Sequence, residues 1–304
     1  MIAGYTRPLY VLPFDHRASY VSGLFGWKEL LNAEQAVAVA DSKRVIYAGF
    51  EQALVDGVPK DRAGILVDEE FGSALLRDAV GKGYLTAVSV EKSGQDEFEF
   101  AYGEDFAQHI EAVHPTFAKV LVRYNPEGDA ALNPRQARRL ARLSDYLHQA
   151  QTLFMFELLV PPEPAHLKMV DGDKNAYDLQ IRPRLMLQAV QALQHAGVEP
   201  DVWKVEGLDR REDCARLVAL ARRDGRAGVS CIVLGRGSDA QAVSRWLSVA
   251  ASVPGFIGFA VGRTTWLEAI TAWHAHIIDS AEAAARIATR FREWAAIFEH
   301  VSVR

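Results

Sequence analysis

Short apolar runs alternate with longer amphipathic stretches along the whole chain. An apolar run of roughly four to eight residues bounded by polar, Gly or Pro positions reads as a strand buried on both faces. Such runs lie at Leu9–Phe14, Gly64–Val67, Tyr84–Val90, Phe117–Arg123, Thr152–Leu159, Val202–Glu206, Val229–Leu234 and Phe256–Val261. Between them the apolar spacing shifts toward the helical period. It predicts helices near Ala33–Val55, Ser73–Val80, Glu104–Val113, Pro134–Gln149, Tyr177–Ala196, Arg210–Arg223, Ser238–Ala251 and Thr265–Ile278. A last amphipathic segment, Ser280–Phe298, predicts a further helix with Ser280 as its N-cap. Trp294 and Phe298 on it read as exposed aromatics, suited to covering a barrel end or a subunit interface in a homo-oligomer.

Strict strand–helix alternation argues for a parallel sheet, and eight such units are the count of a (β/α)8 barrel. The expected fold class is α/β, a TIM barrel with one extra C-terminal helix, filling residues 1–304 as one domain. Barrels of this kind commonly take ~250 residues, so the length forces no split. A doubly wound open sheet is the alternative, but no Gly-x-Gly-x-x-Gly follows the first strand. Two long irregular loops, Pro126–Pro134 and Pro161–Lys174, both follow strand C-termini.

Composition changes this picture only by exclusion. The net charge of −5, from 34 basic and 39 acidic residues, gives no electrostatic case for nucleic acid or an anionic membrane as partner. The two cysteines, Cys214 and Cys231, have neither metal spacing nor a disulfide framework. The N-terminal residues lack the long apolar run of a signal peptide, and no run approaches the ~18 apolar residues of a membrane span. A cytoplasmic protein is expected.

In such a barrel the active site forms at the C-terminal ends of the strands. Polar residues gather there from every strand: Asp15-His16-Arg17, Asp68-Glu69-Glu70, Ser89-Val90-Glu91-Lys92, Lys119 and Arg123, Glu157, Lys204 and Glu206, Gly235-Arg236-Gly237, and Gly262-Arg263-Thr264. Lys204 sits at the centre of a buried strand. Burial disfavours an ammonium and can supply the neutral amine that attacks a carbonyl; the plainer role is pairing with a nearby carboxylate. Alternation places Lys119, Leu121 and Arg123 on one face, as it does Val202, Lys204 and Glu206. Glu157, the one charge in an apolar run with Leu153, Met155 and Leu159, should have a raised pKa unless a cation sits close. If in register, Glu157 and Lys204 stand roughly 5 Å apart on adjacent strands. An amine beside a carboxyl acid/base is the minimum equipment for imine chemistry. Glu157 as merely the counter-ion of Lys204 is the structural alternative.

Two Gly-Arg pairs, Gly235-Arg236-Gly237 and Gly262-Arg263, fall in the loops after strands 7 and 8, the usual phosphate site of such barrels. No His/Asp/Glu set has convincing metal-ligand spacing. His16 beside Asp15, and Asp68-Glu69-Glu70, leave a divalent ion open as an alternative. His274 and His276 read as helical packing or surface residues.

The string from Leu9 to Arg17, with Lys119, Glu157, the strand from Val202 to Gly207, Leu234-Gly235-Arg236-Gly237 and Gly262 to Trp266, resembles the DUF2090 aldolase domain. That domain forms the C-terminal half of bifunctional 5-dehydro-2-deoxygluconokinase proteins of myo-inositol catabolism and is similar to class I tagatose 1,6-bisphosphate aldolases. The resemblance implies a metal-free, cofactor-free aldolase. Its substrate would be a small phosphorylated keto-sugar acid, 2-deoxy-5-keto-D-gluconate 6-phosphate, cleaved to dihydroxyacetone phosphate and malonate semialdehyde. It implies Lys204 as the Schiff-base lysine, Glu157 as the proton carrier and Lys119 as a lysine that lowers the pKa of Lys204 or binds a substrate oxygen. Glu157 is also a candidate for removing the C3 hydroxyl proton. Gly235, Arg236, Gly237, Gly262 and Arg263 would hold the phosphate. Arg17, Lys92 and Arg123 are the candidates for the substrate carboxylate, while Asp15 and Asp68 orient hydroxyls or lysines. The sugar-kinase half is not in this sequence, so a separate kinase is expected to supply the substrate. An aldolase for another phosphorylated keto-sugar, such as tagatose 1,6-bisphosphate, a metal-dependent aldolase and a non-catalytic sugar-phosphate-binding protein are the alternatives.

Overall fold

The computed structural model describes residues 4–301. Eight parallel strands close on themselves in sequence order: β1 (Leu9–Pro13), β2 (Ala63–Val67), β3 (Leu85–Ser89), β4 (Phe117–Arg123), β5 (Leu153–Leu159), β6 (Val202–Glu206), β7 (Ser230–Leu234) and β8 (Phe256–Ala260). Each is followed by a barrel helix: α1 (Ala33–Val55), α2 (Glu69–Gly81), α3 (Phe106–Val113), α4 (Leu132–Ala150), α5 (Arg182–His195), α6 (Arg211–Ala221), α7 (Ala240–Ala251) and α8 (Arg263–His274). A ninth helix, α9 (Ser280–Val301), completes the (β/α)8 barrel with one extra C-terminal helix. No helix among the described residues is long and apolar enough to cross a membrane.

The strand sequences are apolar on both faces because each face has its own core. Tyr10, Leu12, Val120, Phe154, Phe156, Trp203, Val205 and Val233 belong to the layer between strands and helices. Their alternates Leu9, Val11, Leu66, Phe117, Met155, Val202 and Ile232 fill the barrel interior. Tyr5 joins this inner set, its ring edge-on to Phe117. The interior is therefore a packed apolar plug, and polar side chains replace it only toward the C-terminal ends of the strands. Closure between β1 and β8 needs Gly258, because a Cβ there would lie 1.8 Å from the Leu9 carbonyl oxygen.

Four sequence expectations change here. The cap of α9 is Asp279, whose Oδ1 accepts from the Glu282 backbone N–H at 2.8 Å; Ser280 already lies in the first turn. Trp294 and Phe298 are buried, because α9 folds back across α1 and the β1–β8 seam instead of standing free. Phe298 packs near Phe259 and Tyr10, Trp294 donates to Thr265 Oγ1 at 3.1 Å, and Tyr10 donates to Glu299 at 2.7 Å. His276 lies beyond the end of α8 in a left-handed conformation. The Pro161–Lys174 region contains a short helix, Pro164–Met169, and at its end a helical turn, Lys174–Ala176, runs into a π-helical turn, Tyr177–Ile181, before α5.

Because Trp294 fills the space between α8 and α9, Trp294→Ala is expected to cost about 3–5 kcal/mol. Urea denaturation measures this, and a loss below about 1 kcal/mol would show that α9 is peripheral to the barrel.

Candidate active site

At the C-terminal mouth, strand register brings the charged residues together. Glu157 and Lys204 are register partners on β5 and β6, and Lys119 of β4 is the register partner of Met155, one inward position below Glu157. Lys204 Nζ lies 2.9 Å from Glu157 Oε2, and Lys119 Nζ lies 2.8 Å from the same oxygen. Lys119 also reaches Asp15 Oδ2 at 2.7 Å and Glu91 Oε1 at 2.9 Å. All five side chains are buried, Lys204 with 3% of its surface exposed. The three carboxylates thus converge on an ammonium.

Burial of this kind costs several kcal/mol per unpaired ion, so the pairing decides the protonation states. Burial alone would raise the Glu157 carboxyl, but Lys119 and Lys204 outweigh it and hold it below the ordinary glutamate value. The raised value expected for a carboxyl in an apolar run is therefore corrected by the two cations. Burial opposes the Lys119 ammonium, yet Asp15, Glu157 and Glu91 raise its pKa well above that of free lysine. The Asp15 carboxyl is lowered, Lys119 and Lys204 overcoming its burial. Glu91 remains raised by burial, with Lys119 only partly offsetting it. Lys119 does not act on Lys204 as a bare like charge, because Glu157 Oε2 touches both.

Two cavities meet at this cluster. The larger, about 460 Å³, opens toward β7 and β8 and is lined by Glu206, Gly235, Arg236, Gly237, Gly262 and Arg263. The smaller, about 170 Å³, opens toward β3 and is lined by Arg17, Glu91, Lys92, Ser93, Gln95 and Arg123. His16, Ser19, Leu121, Arg123, Glu157 and Lys204 border both. His16 is held toward its neutral form, its pKa lowered to about 4 by burial and by Arg263 against the opposing charge of Asp15.

In the larger lobe, Gly237 has φ of +68°, and a Cβ there would sit 2.8 Å from the Arg263 guanidinium. A Cβ on Gly262 would lie 2.6 Å from the Pro13 carbonyl oxygen. Both positions let backbone and arginine approach closely, and α8 begins at Arg263 with its N-terminus at this lobe. Arg236 is not a free cation. It bridges Asp178 Oδ2 at 2.8 Å and Glu206 Oε1 at 3.2 Å, partners contributed by the turn before α5 and by β6. Arg263 donates to the Arg236 carbonyl oxygen at 3.3 Å.

In the smaller lobe, Arg17 donates to the Glu91 backbone carbonyl, and Arg123 donates to that of Gln95 at 2.9 Å. Lys92 stands at the rim, 3.8 Å from Glu99 and largely exposed. Asp68 lines neither cavity; of its two expected roles, orienting hydroxyls or lysines, it has the second, on Lys43 of α1. It is fully buried, its Oδ1 caps α2 through the Phe71 N–H at 2.8 Å, and its Oδ2 pairs with Lys43 of α1. Lys43 also donates to the carbonyls of Phe14 and His16, at 2.9 and 3.1 Å, and so fixes the turn that carries Asp15. The acidic trio does not converge either, since Glu69 pairs with His109 at 2.8 Å.

Glu91 is the participant that the sequence reading omits from its candidates. It stands just past β3 in a hairpin-like loop closed by Lys92 N–H to Glu99 O and Ala101 N–H to Val90 O, both 2.9 Å. Glu97 of that loop is gripped by Arg135 and Arg139 of α4 at 2.7 and 2.6 Å. No periodic signal in the sequence announces this arrangement.

A family model described as "Uncharacterized protein conserved in bacteria (DUF2090)" matches residues 4–301, and the chain belongs to that family. No curated protein matches it. Among solved structures, the crystal structure of Cgl0159 from Corynebacterium glutamicum (Brevibacterium flavum) is similar with a TM-score of 0.56. The two share 19% identity over 96% of this chain and 88% of that chain. At that identity the likeness concerns the fold alone.

Lys119→Met leaves Asp15, Glu91 and Glu157 buried without their shared cation, and an expected loss of about 3–5 kcal/mol follows at pH 8. The native carboxyls of Asp15 and Glu157 are lowered, so their stabilisation is present above the ordinary carboxylate range and lost as acid protonates them. In the variant these carboxyls are raised by burial, and falling pH relieves their charge. The deficit should therefore shrink between pH 8 and pH 5 in urea titrations; one that stays constant or grows would contradict the shared-cation reading.

Proposed function

From the chain's place in the DUF2090 family and the geometry of the mouth, we propose that this protein is a class I, Schiff-base aldolase acting on a phosphorylated keto-sugar acid. The substrate we assign is 2-deoxy-5-keto-D-gluconate 6-phosphate, cleaved to dihydroxyacetone phosphate and malonate semialdehyde. The observation that carries the proposal is the buried pair of Lys204 Nζ and Glu157 Oε2 at 2.9 Å, facing a cavity of about 460 Å³ with two glycine–arginine loops on its far wall.

A proton passed from Lys204 to the adjacent carboxylate leaves an amine free to attack the C5 ketone. Glu157 then returns protons as the carbinolamine forms and loses water. The resulting iminium is the electron sink for the C3–C4 bond, and the enamine left behind is protonated by Glu157. Lys119 stays an ammonium throughout and holds the three carboxylates in place. Arg263, the glycine backbone at Gly235, Gly237 and Gly262, and the N-terminus of α8 receive the 6-phosphate. Arg236 joins them only by sharing its guanidinium with Asp178 and Glu206, or by exchanging one of them for the phosphate. Arg17 and Arg123 in the smaller lobe face the opposite end of the substrate, where its carboxylate lies, with Lys92 at the rim.

The chemistry needs no metal and no bound cofactor. The reading also carries a soluble, cytoplasmic enzyme that handles small molecules.

Borohydride reduction in the presence of dihydroxyacetone phosphate tests the proposal. Mass spectrometry is expected to find one adduct, on the peptide bearing Lys204, and none in Lys204→Met. An adduct confined to another lysine, or no adduct at all, would sink the mechanism, as would turnover abolished by chelators but retained in Lys204→Met.

A further inference from the structure

A retro-aldol cleavage requires a second proton transfer that imine chemistry does not include, removal of the hydroxyl proton from the carbon that becomes the aldehyde. The sequence reading gives that task to Glu157 as well. The geometry argues against one carboxylate doing both. Glu157 Oε2 is shared by two ammonium groups, and its carboxyl is held below the ordinary value, which makes it a weak base toward an alcohol.

A second carboxylate lies in the same cavity. Glu91 and Lys204 both line the lobe of about 170 Å³, and Lys119 holds Glu91 Oε1 at 2.9 Å. Arg17 stands 3.9 Å from that same oxygen. Glu91 Oε2 is buried and has no hydrogen-bond partner among the described residues. An unpaired buried carboxylate oxygen is costly unless a ligand or water completes it. Resting on the aldolase reading, we infer that Glu91 is the general base of carbon–carbon cleavage, with Oε2 accepting the hydroxyl proton of the substrate fragment seated in the smaller lobe.

The step balances. The O–H bond breaks and its proton goes to Glu91 Oε2, while the oxygen pair forms the aldehyde C=O. The electrons of the C3–C4 bond become the C4=C5 bond of the enamine, and the iminium π pair settles on nitrogen. Glu157, left as the carboxylate when the imine formed, takes up a proton from solvent and delivers it to C4, and Glu91 gives its proton back to solvent once the aldehyde has left. Burial raises the Glu91 carboxyl against the opposing charges of Lys119 and Arg17, and Asp15 reinforces it, which makes Glu91 a stronger base than Glu157. Labour is thus divided: Glu157 serves the imine and C4, and Glu91 serves the departing aldehyde.

Two rates separate these roles. Wild-type protein in D2O should exchange a hydroxymethyl proton of dihydroxyacetone phosphate, followed by NMR, and should condense that compound with malonate semialdehyde. Glu91→Gln is expected to keep the exchange within about threefold while condensation falls about 100-fold or more. Glu157→Gln should lose both. Glu91→Ala is the second variant and should show the same split. Condensation within about tenfold of wild type in either Glu91 variant overturns the assignment, and so does an equal loss of both rates in the two variants. Wild-type protein that exchanges no proton refutes the aldolase reading itself, whatever Glu91 does.

Discussion

One carboxylate oxygen, Glu157 Oε2, contacts two buried ammonium groups, and the mouth of the barrel is organised around that sharing. Charges removed from water are tolerated only when their count nearly balances and their partners are close. Here Asp15, Glu91 and Glu157 face Lys119 and Lys204, with Arg17 at 3.9 Å from Glu91 as the third cation. The set is neutral as a whole, and it comes from β1, β3, β4, β5 and β6 or the loops that follow them. β1 and β4 are not neighbours in the sheet, yet Asp15 reaches Lys119 at 2.7 Å, so closing the barrel is a condition for having the whole set.

The barrel supplies this by stacking. Its lower interior is filled by Leu9, Val11, Leu66, Phe117, Met155, Val202 and Ile232, which exclude water from beneath the charges. Low polarity below and a cavity above leave Lys204 one direction in which to meet a ligand. Support comes from outside the barrel as well. Lys43 of α1 and Asp68 tie the turn bearing Asp15, and Arg135 and Arg139 of α4 hold the loop that presents Glu91. These outer contacts fix geometry without touching the cavity, which is why a side chain as buried as Asp68 belongs to the frame of the site.

What the sequence disclosed follows the same division. Strand positions were readable because both faces are apolar, and the facing of Lys119, Glu157 and Lys204 was readable because period two holds within a strand. The Glu157–Lys204 pairing follows from the sequence only if the two adjacent strands are in register, and the structure has that register. In the sequence, a place just past a strand end points Asp68 toward the mouth as it does Asp15. The chain leaves β2 at Val67, and Asp68 becomes a helix cap. Glu91 was passed over for the converse reason. It lies beyond β3, and only a loop anchored by distant arginines turns it into the mouth. Arg236 looked free because its partners, Asp178 and Glu206, come from a turn and a strand far away in sequence. Side chains fixed by local periodicity were legible; those fixed by long-range ion pairs were not.

The charge balance also bears on how the proposed chemistry can run in so dry a place. Moving a proton from Lys204 to Glu157 turns one ion pair into two neutral groups and leaves Asp15 and Glu91 opposite Lys119 and Arg17. The total is unchanged, so the step demands no ion from solvent and little reorganisation around it. Iminium formation then restores a cation at the position of Lys204, beside the carboxylate that held it before. A lysine paired to a carboxylate of its own would pass through the same charge states, but that carboxylate would have no second cation to hold it in place while the lysine is neutral. A lysine that shares its carboxylate with a second, permanently charged ammonium has a neighbour already organised for every charge state the cycle visits.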